Sequence, residues 1–138
     1  MSTAPVAATS AKNPFARLQA AAREGRPATI VALDSGLGGM AVAASVYERL
    51  SAANPFSHAQ VAFVNVLPAW EKPAYYNSLR QRDPNLLVQV LNRALMAIEE
   101  RFRPDLVLIA CNTLSVYHPQ TEHAKGEGGN HTVTIVDA

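Results

Sequence analysis

The chain has 138 residues, of which 49% are hydrophobic and 17% charged, and its formal net charge is +1. That composition belongs to one ordinary globular domain, and the absence of a dense Lys/Arg stripe argues against a nucleic-acid partner. No apolar run approaches the roughly 18 residues that cross a bilayer, so no membrane partner is expected.

Residues 1–27, "MSTAPVAATSAKNPFARLQAAAREGRP", differ from the rest of the chain. They are rich in alanine, hold a single acid (Glu24), and carry Lys12, Arg17, Arg23 and Arg26. A flexible or loosely helical tail is expected. The composition also fits an organellar presequence, but not the apolar core of a secretory signal. Asn13-Pro14 is a capping pair for a short helix on which Phe15, Leu18 and Ala22 share a face.

From Ala28 to Ala138 the elements alternate. "TIVAL" is a β-branched strand, punctuated by "DSGLGG". "MAVAASVYERL" has the spacing of a helix burying Met40, Ala43, Val46, Tyr47 and Leu50. "AQVAFVNV" is a second strand, and "LPAWEKPAYYNSLRQRD" is a long polar and aromatic loop. Asp83-Pro84 then caps a helix with Leu87, Leu91, Ala94, Leu95, Ile98 and Phe102 at spacings of three and four. "DLVLIA" is a third strand, a shorter helix follows it, and "HTVTIVDA" is a fourth strand.

This order predicts an α/β fold: a parallel four-stranded sheet flanked by helices, joined by right-handed crossovers. Residues 28–138 read as one such domain, cut after its fourth strand rather than closed by a helix.

In parallel sheets, ligands bind at the carboxyl ends of the strands. Asp34-Ser35-Gly36 follows the first strand, Asn65 lies in the second, and Cys111-Asn112-Thr113 follows the third. Gly36, Gly38 and Gly39 allow a sharp turn that exposes backbone N–H groups to a carboxylate or phosphate, although the spacing matches neither dinucleotide nor Walker loops. Cys111 is the chain's one cysteine. It cannot form an internal disulfide, which fits a reducing, cytoplasmic compartment. By residue type and position, Cys111 is equally a packed core thiol or a reactive one.

"VALDSGLGGMAV" and "LVLIACNTLS", each at a strand end, together resemble the N-terminal half of glutamate racemase and the wider aspartate/glutamate racemase family. The resemblance implies two facing α/β domains, each supplying a cysteine, and thiol acid/base proton transfer at an α-carbon without a cofactor. Carried onto this chain, Cys111 is the catalytic thiol and Asp34 orients that thiol or the substrate amine. Ser35, Asn112 and Thr113 bind the amino and carboxylate groups. The implied partners are a small amino-acid or dicarboxylate substrate and a second wall, from a missing second domain or a homodimer. The stretch "FVNVLPAWEKPAYYNS" lacks the family's Gly-Asp pair and Pro-Tyr-Gly turn; Pro73, Tyr75 and Tyr76 are a loose echo. Two other readings stay open: a one-cysteine isomerase or decarboxylase relative, and a non-catalytic anion-binding or regulatory domain.

The remaining polar residues are expected to be bland. His58, His118, His123 and His131 lack metal-ligand spacing, so solvated histidines and no metal are expected. Trp70, Tyr75 and Tyr76 read as a packed loop. Glu99, Glu100, Arg101 and Arg103 read as an exposed helix end.

Overall fold

The computed structural model describes residues 13–53, 55–68, 70–72 and 74–135. Its centre is β1 (Ala28–Asp34), whose β-branched and apolar residues are buried on both faces. On one side β1 pairs in parallel with β2 (Ala59–Asn65), from Ala28 opposite Ala59 to Asp34 opposite Asn65. On the other it pairs in parallel with β3 (Leu106–Ile109), Leu33 lying opposite Ile109. A short β4 (Thr132–Thr134) completes the order β2-β1-β3-β4. The expected α/β fold, a parallel four-stranded sheet flanked by helices, is the fold observed. Its register brings the carboxyl ends of β1 and β3 level, and Ala110 N–H donates to the Leu33 carbonyl at 2.8 Å.

Before the sheet, helix α1 (Ala16–Glu24) ends at Gly25, whose φ of 66° is the left-handed cap that glycine accepts without strain. Leu18 and Ala22 pack in a small cluster with Ala21, Ala28 and Phe56, whereas Phe15 of the expected face is 42% exposed. Residues 1–12 of the expected tail lie outside the described residues.

The main core lies between the sheet and a long helix. Helix α2 (Gly39–Ala53) connects β1 to β2, and two helices, α3 (Tyr75–Arg82) and α4 (Pro84–Phe102), connect β2 to β3. The periodicity of α4 is realised. Asp83 accepts from Leu86 N–H at 3.2 Å with Pro84 in the first turn, and Leu87, Leu91, Leu95 and Ile98 are buried against Val31, Leu33, Val107 and Ile109.

Two expectations fail. Helix α2 buries Ala43 as expected, but exposes Met40 and Tyr47, each 52% accessible, and buries Gly39 in their place. The reason is close approach: a Cβ on Gly39 would lie 2.9 Å from Phe63 Cε1 and 3.0 Å from Asp34 Cβ. The helix therefore meets the sheet along Gly39, Ala43, Val46 and Leu50, and the residues one step further, Met40 and Tyr47, turn about 100° away.

The expected long loop after β2 contains α3. That helix has no side-chain cap and only two buried residues, Tyr76 and Leu79. So short a segment carries almost no periodic signal, and its stability comes from the pocket it fills. Tyr75 and Tyr76 pack edge to face at 5.4 Å, but Trp70 is 83% exposed rather than packed.

The packing predicts contrasting costs. Leu95→Ala, at a fully buried position, should lower unfolding free energy by about 2–5 kcal/mol in urea titration. Met40→Ala, on the exposed face, should stay within about 0.5 kcal/mol of wild type.

Candidate functional site at the ends of β1 and β3

Asp34, the last residue of β1, is 9% exposed and turns both carboxylate oxygens to the backbone. Oδ1 accepts from Ser35 N–H and Oδ2 from Gly39 N–H, each at 2.7 Å. An anionic acceptor makes these strong hydrogen bonds, and they close the glycine turn into α2. The turn carries Ser35 toward β3, where its Oγ stands 3.4 Å from Cys111 Sγ.

Cys111 leaves β3 in an extended conformation and is the residue before α5 (Asn112–Tyr117). Its carbonyl accepts from Ser115 N–H at 2.9 Å. Its side chain is half-buried, neither a sealed core thiol nor a fully solvated one. Leu114 and Ser115 are buried behind it, with Ser115 Oγ donating to the Ile109 carbonyl at 3.2 Å.

The structure thus brings Ser35 and Cys111 into direct contact and places Asn112 and Thr113 on the next turn. Asp34 shapes this group through the backbone of Ser35. Asn112 is exposed, and Thr113 Oγ1 reaches Asn77 Oδ1 of α3 at 3.4 Å. Asn65, at the end of β2, bonds only locally, accepting from Leu67 N–H at 2.9 Å.

Two residues of α3 stand near this group: Arg80, which was not foreseen, and Tyr76, which was expected as part of a packed loop. Arg80 lines a cavity of about 140 Å³ with Asn112, Thr113, Val116 and Tyr117. Tyr76 donates its hydroxyl to the Val66 carbonyl at 3.0 Å. Burial, together with charge repulsion from Tyr75 and Cys111, pushes its phenol well above the usual range, so it stays a neutral donor. Both residues belong to the segment that reads as loop in sequence.

The histidines overturn the expectation of solvated loops for three of four. His58 is exposed, but His118, His123 and His131 are 6%, 2% and 2% exposed. His118 begins a tight turn (His118–Gln120) after α5, His123 sits in α6 (Glu122–Lys125), and His131 ends a second tight turn (Glu127–His131). His123 and His131 meet Glu99 of α4, with His118 against His123, so Glu99 is not part of the exposed helix end with Glu100, Arg101 and Arg103. Glu99 lies one turn beyond buried Leu95 and beside buried Ile98, which aims it at the C-terminal segment.

Glu99 Oε2 is 2.8 Å from His123 Nε2 and 2.8 Å from His131 Nε2, and His118 Nε2 is 3.1 Å from His123 Nδ1. Burial raises the Glu99 pKa, but hydrogen bonds from His123 and His131 and their attraction outweigh it, holding it at about 2. As hydrogen bonds to an ionised carboxylate, both contacts set a ring N–H toward Glu99. Among the described residues no group of three or more His, Cys, Asp or Glu is arranged to hold a metal.

No protein family, curated protein or solved structure that was compared matches this chain. Among the described residues no helix is long and apolar enough to cross a membrane.

Two measurements check this geometry. Asp34→Ala strands two backbone N–H groups and should cost roughly 1–3 kcal/mol in urea unfolding, with Asp34→Asn, which keeps one acceptor, losing less. Glu99 is depressed from 4.5 to about 2 in the folded chain, so its contribution is complete above pH 4.5 and is lost as pH falls toward 2. The stability gap between wild type and Glu99→Gln should therefore narrow over that window.

Proposed function

We propose that this chain supplies one acid/base thiol of a cofactor-independent amino-acid racemase of the glutamate/aspartate type. The observation that carries the reading is the half-buried Cys111 Sγ, 3.4 Å from Ser35 Oγ, at the level carboxyl ends of two adjacent parallel strands. In this reading the Cys111 thiolate takes the α-hydrogen as a proton, leaving the electron pair on the substrate carbon. Return of a proton to the opposite face requires a second acid, from a facing domain or a second copy.

The surrounding groups fit those roles. Ser35 hydrogen-bonds the sulfur and limits its motion, while Asn112 and Thr113 present an amide and a hydroxyl to a zwitterion's amino and carboxylate groups. Asp34 is a positioning residue here, because its oxygens are committed to the turn. Arg80 lines one cavity with Asn112 and Thr113, and its permanent cation suits a substrate's second carboxylate.

The test is deuterium incorporation at the α-carbon of aspartate and glutamate in D₂O, followed by NMR. Wild type should exchange, and Cys111→Ala should lose at least about a hundredfold in rate, the lower range for acid/base catalysis. Dicarboxylate binding that survives Cys111→Ala, with no exchange by wild type, would instead identify a non-catalytic anion-binding domain.

A further inference from the structure

We propose that Glu99 is a positioning residue for Cys111, acting through His123 and His118 rather than by touching the thiol. The starting point is the weakness of the helix that follows the cysteine. Helix α5 has six residues and no side-chain cap, whereas isolated helices need about 12–15 residues even to be marginal. Its placement is therefore set by what grips it.

At its front, Leu114 is buried in the main core, Ser115 Oγ donates to the Ile109 carbonyl at 3.2 Å, and Thr113 meets Asn77 at 3.4 Å in an exposed position. The grip behind is tighter. The His118 carbonyl, just past the helix, accepts from Thr121 Oγ1 at 2.7 Å and from Thr121 N–H at 2.9 Å. The His118 ring meets His123, and His123 is bound twice to α4: Nε2 to Glu99 at 2.8 Å and its backbone N–H to Asn92 Oδ1 at 2.8 Å. Asn92 and Glu99 lie two turns apart on one face of α4, so the rear of α5 is fastened to the longest helix of the core.

The proton order gives this fastening a direction. An ionised carboxylate only accepts, so His123 Nε2 and His131 Nε2 both donate to Glu99. In the neutral form of His123, Nδ1 is then the acceptor and His118 donates to it from Nε2 across 3.1 Å. The charge on Glu99 thereby sets the tautomer of a ring it does not contact. Packing enforces the arrangement: a Cβ on Gly128 would collide with the His123 ring, and one on Gly129 with the Ala124 carbonyl. The two glycines let the Glu127–His131 turn press onto His123 and hold it toward Glu99.

The experiment is the rate at which iodoacetamide alkylates Cys111 in the full chain, which needs neither substrate nor turnover. The Cys111 site supplies only the atom being positioned, so an absence of α-proton exchange in wild type would defeat the racemase reading and leave this test intact. Glu99→Ala and His118→Ala should each speed alkylation by about three- to tenfold, and the double variant should be no faster than either single one. Leu95→Ala, destabilised but outside the relay, should alkylate like wild type.

A rate for folded Glu99→Ala within about twofold of wild type, or a double variant showing the product of both single effects, would overturn the proposal. If Glu99→Ala does not fold, Glu99→Gln is read by the same alkylation rate together with the His118 ring ¹⁵N shifts. Faster alkylation with shifted His118 nitrogens supports the relay; an unchanged rate or unchanged nitrogens overturns it.

Discussion

The geometry of this molecule turns on one carboxylate that bonds to its own chain. Asp34 ends the central strand and takes the N–H groups of Ser35 and Gly39, which forces β1 to bend at once into α2. Because the helix starts there, Gly39 must lie against Phe63 and Ala110, and no larger residue fits. That close seat rotates Met40 and Tyr47 to the surface. It also decides where Ser35 points, and hence that a hydroxyl stands beside the chain's one thiol. A local hydrogen-bond pair therefore governs a helix face, a strand-end turn and the candidate site together.

The thiol is held between unequal supports. In front, Ser35 Oγ stands 3.4 Å from the sulfur, and on the next turn Thr113 meets Asn77 at the same distance. Behind, buried groups compete and one effect wins. Burial pushes the Glu99 pKa up, but hydrogen bonds from His123 and His131 outweigh it and hold it at about 2. Within the cluster, His131 Nδ1 is a buried atom without a hydrogen-bond partner. A charged acceptor shared by two ring N–H donors is a fastening that tolerates little rearrangement, because moving one ring strands the others.

Much of this was legible in the sequence. The β-branched strands, the Asp83-Pro84 start and the leucine stripe of α4 led directly to a parallel sheet with its loops at one end. Cys111, Ser35, Asn112 and Thr113 were expected at strand ends and were grouped by the family resemblance; the adjacency of β1 and β3 that joins Ser35 to Cys111 came from the structure. The histidines were not, because a hydrogen-bonded cluster follows no ligand spacing. Three of the four histidines lie between 118 and 131, beside Gly128-Gly129, and that density beside paired glycines was the available signal. Helix α3 was equally hidden, since two buried residues cannot establish a period, and with it went Arg80 and Asn77.

The amino-acid sequence by itself determined the elements whose patterns are long enough to outweigh local noise: the strands, the nineteen-residue helix α4 and the strand-end loops. Those depend on side-chain periodicity, which is a property of the chain alone. Tertiary structure decided which face α2 buries, whether Asp34 faces the thiol or the backbone, and what surrounds Glu99. Each of those depends on how closely two distant segments approach. A missing Cβ, an available N–H or a neighbouring ring settles it, and none of these is visible until the segments meet.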